Sequence, residues 1–132
     1  MTDELRALIN YRLDQVESAL KASQALIDAE LWRDSVNRSY YAAFYAVLAL
    51  LTLKGMGTSK HSGAISLFDR EFVKTGIFPK VLSAALHNAF DMRQEADYEE
   101  QAQIEDSDAH DALAQARVFV QQVRLYIGTF HE

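Results

Sequence analysis

The chain has 132 residues, enough to bury a sizeable core in one domain, and its 49% hydrophobic content with a single proline, Pro79, excludes a disordered polymer. The absence of cysteine excludes a disulfide framework and a thiolate zinc site. A formal net charge of −6 argues against broad, non-specific binding to nucleic acid or to anionic membrane.

The N-terminus, MTDELRALINYRLDQ, carries charges from its third residue and lacks an apolar signal core, so a cytoplasmic protein is expected. Helical periodicity then runs through the chain. A first helix, residues 2–28, places Ile9, Leu13, Val16, Leu20 and Ile27 on one face. A second, residues 30–53, does the same with Val36, Tyr40, Phe44, Val47 and Leu51. Within it, RSYYAAFYAVLALLTLK holds fifteen uncharged residues between Arg38 and Lys54, short of the roughly 20 that span a bilayer. Such a helix belongs at the centre of a bundle or at a subunit interface.

KGMGTS breaks the chain and offers Thr58 or Ser59 as the cap of a third helix. That helix aligns Ile65, Phe68 and Phe72 and stops at TGIFP. Pro79 suits the first turn of a fourth helix carrying Leu82, Leu86 and Phe90. The acidic connection YEEQAQIEDSD leads to a fifth helix, with Leu113, Ala116, Val120, Val123, Ile127 and Phe130 in a seam-like repeat. No stretch alternates long enough for a strand. The expected architecture is all-α, an up-and-down bundle of four to five helices forming a single domain over residues 1–132.

Charge is uneven. Between positions 54 and 80 five Lys/Arg oppose two acids, whereas between 91 and 111 nine acids oppose one arginine. The acidic part reads as a solvated loop and helix start. No histidine has a glutamate three residues before it, and no phosphate loop or nucleophile elbow occurs, so neither metal nor cofactor is expected. Asp106 and His110 read as a capping aspartate and an exposed histidine.

Three sets of polar residues remain. Arg38, Tyr41 and Tyr45 share an edge of the second helix, where the arginine can satisfy a tyrosine hydroxyl. Taken alone, they read as a packing network before a ligand site. In DMRQEADYEE, Arg93 continues the apolar stripe of the fourth helix, Asp97 lies one turn on and can fix its guanidinium, and Tyr98 follows. That arginine is either locked in an ion pair or reserved for an anion such as phosphate. Lys60 and His61 stand at the start of the third helix, where backbone amides attract anions. Alone, they read as exposed loop residues.

Taken in order, RSYYAAFYAVLALL, SKHSGAISLFDREFVKTGIFP and MRQEADY resemble the HEPN family (higher eukaryotes and prokaryotes nucleotide-binding), in its small stand-alone prokaryotic branch. The resemblance covers residues 30–98, and the fifth helix fits the family's closing helix. It implies a helical bundle that is usually a homodimer. It also implies a partner, a minimal nucleotidyltransferase encoded alongside, often as a toxin–antitoxin pair.

Many family members are metal-independent ribonucleases, in which an arginine and a histidine with four to six residues between them build a composite site across two protomers. Here Arg93 takes the arginine's place, but positions 94–100 read QEADYEE and hold no histidine. Arg124 and His131 have the spacing on the wrong helix and are a coincidence. Tyr98 lies near a tyrosine that, in some relatives, the partner enzyme modifies with AMP. Three functions are therefore carried forward. The first is a nucleotide- or RNA-phosphate-binding dimer using Arg38, Tyr41, His61, Arg93, Asp97 and Tyr98. The second is a ribonuclease toxin using Arg93 with His61. The third is a non-catalytic scaffold.

Overall fold

A computed structural model describes residues 1–98 and 103–130. Five α-helices follow one another: α1 (Asp3–Asp28), α2 (Trp32–Leu53), α3 (His61–Phe68), α4 (Lys80–Tyr98) and α5 (Asp106–Gly128). α3 continues into a wider π-helical turn, Asp69–Val73. Among the described residues there is no strand, and the expected all-α bundle is what the chain forms.

Local chemistry sets the ends. Thr2 caps α1, its Oγ1 accepting the Leu5 N–H at 3.1 Å. The helix closes when Glu30 turns to φ 59°, letting the Leu31 N–H reach the Leu26 carbonyl at 2.8 Å. α2 ends the same way at Gly55, whose φ of 70° suits a residue without a Cβ. α3 departs from expectation: its N-cap is Lys60, not Thr58 or Ser59. Thr58 serves the turn before it, its Oγ1 accepting the Lys60 N–H at 3.2 Å. Pro79 sits one residue ahead of α4 and accepts the Leu82 N–H at 3.0 Å.

α2 is the axis of the bundle and packs against each of the other four helices. Val36, Tyr40, Phe44, Val47 and Leu51 are buried, as their spacing predicts, and so are Ala42, Ala43, Ala46, Ala49 and Leu50 on its other sides. This all-round burial explains its uncharged stretch. No helix among the described residues is long and apolar enough to cross a membrane. Ile65, Phe68 and Phe72 are buried together, although Phe72 lies in the π turn. The α5 seam holds from Leu113 to Val123 and loosens at Ile127 and the exposed Phe130.

Around Ser23, α1 and α2 meet through hydroxyl groups. Ser23, fully buried, has its Oγ 2.8 Å from both Ser35 Oγ and Ser39 Oγ. Ser35 Oγ donates in return to the Ser23 carbonyl at 3.0 Å. Three small residues let the helices approach closely while leaving no hydroxyl unpaired. Ser23→Leu forces three carbons into the place of one oxygen and strands the Ser39 hydroxyl, while Ser35 Oγ keeps the Ser23 carbonyl. It is expected to cost about 3 kcal/mol or more, read by chemical denaturation. Ser23→Ala removes the same hydroxyl without adding bulk and should cost about 1–2 kcal/mol.

Candidate functional site

The C-terminal turns of α4 lie against the first half of α2. Arg33 on α2 donates to the Ala96 carbonyl on α4, which fixes the two helix ends together. This brings Arg93, Asp97 and Tyr98 beside Asn37, Arg38, Tyr40 and Tyr41.

Arg93 is the centre of the cluster, with only 14% of its side chain exposed. Its Nε lies 2.8 Å from Asp97 Oδ2, one helical turn on, an ion pair in which the Nε–H is not aligned as a hydrogen bond. Its Nη2 donates to the Tyr41 hydroxyl at 3.2 Å. The guanidinium carbon stands 5.6, 5.4 and 5.8 Å from the ring centres of Tyr40, Tyr41 and Tyr98. Aromatic faces are electron-rich and stabilise a cation withdrawn from water.

The expectation that Arg38 satisfies a tyrosine hydroxyl is corrected here. Arg93, 52 positions away, supplies the hydrogen to Tyr41. Arg38 lies over the Tyr41 ring instead, 4.6 Å from its centre. Asn37 ties the two arginines together. Its amide donates to both Asp97 oxygens, at 3.0 and 3.3 Å, while its own Oδ1 accepts from Arg38 Nε and Nη2 at 3.1 and 2.9 Å. Both guanidiniums are thus oriented before any ligand arrives, which reduces the side-chain ordering that binding requires. Asn37 escapes a reading by residue type, yet the sequence carries its signal. Arg33, Asn37, Tyr41 and Tyr45 recur every fourth position, a polar edge along α2.

His61 is not a loop residue. It begins α3, and its ring stacks on Phe44 at 4.1 Å with an interplanar angle of 4°. Its Nδ1 is 2.7 Å from the Tyr40 hydroxyl. Burial, followed by the neighbouring Arg93 charge, pushes its pKa below the 6.5 of a free histidine. Burial likewise pushes the Tyr40 hydroxyl well above its ordinary range, so it stays protonated. Nε2 has no hydrogen-bond partner among the described residues. With Tyr40 donating to Nδ1, Nε2 carries a hydrogen for a phosphate oxygen; with Nδ1 donating, Nε2 has a lone pair for a hydroxyl.

A histidine with a lowered folded pKa holds fewer protons than the unfolded chain between the two values. Its stabilising contribution is therefore complete above about 6.5 and declines as pH falls toward the folded value. NMR titration should place the His61 midpoint below 6.5, and Arg93→Met should raise it by removing the adjacent charge.

The other candidates divide. Tyr98 is 72% exposed and, among the described residues, meets the cluster through the Arg93 guanidinium. Lys60 is exposed, and its side chain makes no hydrogen bond or ion pair among the described residues. His110 and Asp106 are exposed, and the helix cap is Glu105, not Asp106. Arg124 pairs with Glu17 of α1 at 2.7 Å, while His131 falls outside the described residues, as do positions 99–102 of the acidic connection. No group of three potential metal ligands occurs among the described residues.

Two cavities flank the cluster. One of about 310 Å³ lies between α2, α4 and α5, with Tyr40 in its wall and Leu86, Ala116 and Phe119 among its apolar lining. The other, about 430 Å³, is a groove between α1 and α2 bordered by Arg38 and Tyr45.

A family model described as HEPN domain matches residues 9–126. The chain is 36% identical over 125 residues to a "UPF0332 protein" of Thermotoga maritima, covering 95% of each. It is 33% identical over 115 residues to "Putative toxin MJ0142" of Methanocaldococcus jannaschii, covering 87% of this chain and 78% of that one. A UPF0332 protein of Gloeobacter violaceus is 34% identical over 110 residues, covering 83% of this chain and 87% of its own.

Proposed function

We propose, for a chain that belongs to the HEPN domain family, a role in binding the phosphate of a nucleotide or RNA at the Arg93 cluster, as the HEPN half of a toxin–antitoxin pair with a minimal nucleotidyltransferase. The observation that carries this reading is the pair of oriented guanidiniums, Arg93 and Arg38, joined through Asp97 and Asn37 beside an imidazole. Asp97 pairs with Arg93, while Arg38 has no carboxylate partner among the described residues, so the group keeps a net positive charge on a chain whose total is −6. Tyr41 and Tyr98 offer faces for a base. The toxin designation of relatives supports the pairing, and a homodimer would set two such clusters near one another, as the family resemblance implies.

Titration calorimetry with AMP tests the binding. Saturable binding that weakens with added salt and with Arg93→Ala is expected. Equal heats for wild type and Arg93→Ala would remove the ligand. Co-purification of a nucleotidyltransferase with the tagged chain tests the pairing.

A second reading, ribonuclease action, is favoured by the placement of His61, which joins the cluster from a different helix than the one carrying Arg93. In it the ribose 2′-hydroxyl attacks the adjacent phosphorus as its proton passes to His61, Arg93 stabilises the phosphorane charge, and the 5′-oxygen departs with the proton that the His61 imidazolium returns. The products are a 2′,3′-cyclic phosphate and a 5′-hydroxyl. Cleavage in the presence of a chelator, abolished by a 2′-deoxy substitution in the substrate and by His61→Ala, is the expected result. Cleavage that survives His61→Ala would rule it out.

A further inference from the structure

We infer that the groove between α1 and α2 is a nucleobase subsite selective for guanine, filled by the base of a nucleotide whose phosphate lies at the Arg93 cluster. The inference rests on the phosphate-binding reading above and adds to it the class of base.

Three observations support it. The first is continuity. Arg38 borders the groove and also lies over the ring of Tyr41, whose hydroxyl receives Arg93. Tyr45, in the groove wall, is the next ring along α2, with its centre 5.7 Å from that of Tyr41. The groove and the cluster thus adjoin at Arg38.

The second is surface character. Tyr11 on α1 faces the groove and is 57% exposed, an aromatic left in water with the Arg12 guanidinium 5.9 Å from its ring centre. Tyr11 on one wall and Tyr45 on the other offer π-faces to a flat heterocycle, and Ala19 and Ala22 keep the floor low.

The third is the hydrogen-bonding edge. Asp14 borders the groove, is exposed, and has no hydrogen bond or ion pair among the described residues. A carboxylate there repels phosphate, so the groove takes the base end of a nucleotide. It accepts two hydrogen bonds side by side, and guanine alone among the four RNA bases presents two adjacent donors, N1–H and the 2-amino group. Gln15 Oε1 is already engaged by Arg12 Nη1 at 3.2 Å, which leaves its amide hydrogens for an acceptor such as guanine O6.

Titration calorimetry with GMP, UMP and ribose 5-phosphate decides the matter, using wild type, Asp14→Asn, Tyr11→Ala and Arg93→Ala. Both groove residues are exposed, so their variants should fold, and a thermal melt verifies this. GMP should bind about tenfold or more tighter than UMP or ribose 5-phosphate. Asp14→Asn should erase that margin and Tyr11→Ala should shrink it, both with ribose 5-phosphate affinity unchanged. Equal affinity for all three ligands, lost together in Arg93→Ala, would overturn the base subsite while leaving the phosphate site standing. A GMP preference that survives Asp14→Asn would also overturn it. Failure of all three to bind wild type would overturn both.

Discussion

Arg93→Ala is expected to weaken nucleotide binding about a hundredfold, the effect of losing charge-assisted hydrogen bonds to a phosphate from a pre-oriented fork. Arg93→Lys keeps the charge but not the planar fork, and should lose about tenfold. Stability should respond less than binding. Asp97 keeps its two contacts from Asn37 and a quarter of its side chain in water, so removing Arg93 does not leave a sealed, unpaired charge. A loss of about 1–2 kcal/mol is expected, from the Tyr41 hydroxyl and the vacated space among three rings. Under the scaffold reading the order reverses: the melting temperature falls steeply and ligand affinity is not at issue.

Tyr40→Ala is expected to be the most damaging single substitution in the site. The side chain is 1% exposed and meets the rings of Tyr41, Phe44, His61 and Phe90. It also walls the cavity between α2, α4 and α5, so truncation enlarges a space that exists already. Aromatic-to-alanine changes in cores cost about 3–5 kcal/mol, a drop of roughly 10–15 °C in Tm for a chain of this size. Tyr40→Phe separates packing from chemistry. It retains the ring contacts, removes the hydroxyl 2.7 Å from His61 Nδ1, and should cost about 1 kcal/mol while moving the His61 titration. A Tyr40→Phe protein as unstable as Tyr40→Ala would contradict this division.

What the sequence discloses of the molecule follows from range. The helices and most of their buried faces are legible because a 3.6-residue period is written along each segment, as in Val36, Tyr40, Phe44, Val47 and Leu51. Arg93 with Asp97 is legible for the same reason, being one turn apart. The partner of Tyr41 is not, because the nearer Arg38 satisfies local spacing while the actual donor arrives from another helix. His61 follows two glycines and a run of small polar residues, the composition of a loop. Only the docking of α3 on α2 shows that its ring has a flat partner in Phe44. The resemblance to the HEPN family singles out Arg93, and the structure supplies what it lacks, the Asn37 bridge between two arginines. Lys60, the neighbour of His61 in sequence, points to no such contact, since a helix start places consecutive residues on different sides.

The central claim is that Arg93 and His61 serve one phosphate. The most direct measurement follows the His61 imidazole resonances by NMR while AMP is added. A phosphate at the cluster should shift those resonances saturably and raise the His61 titration midpoint from its depressed value, because a nearby anion favours the imidazolium. Resonances and midpoint that stay unchanged throughout the titration would contradict the account.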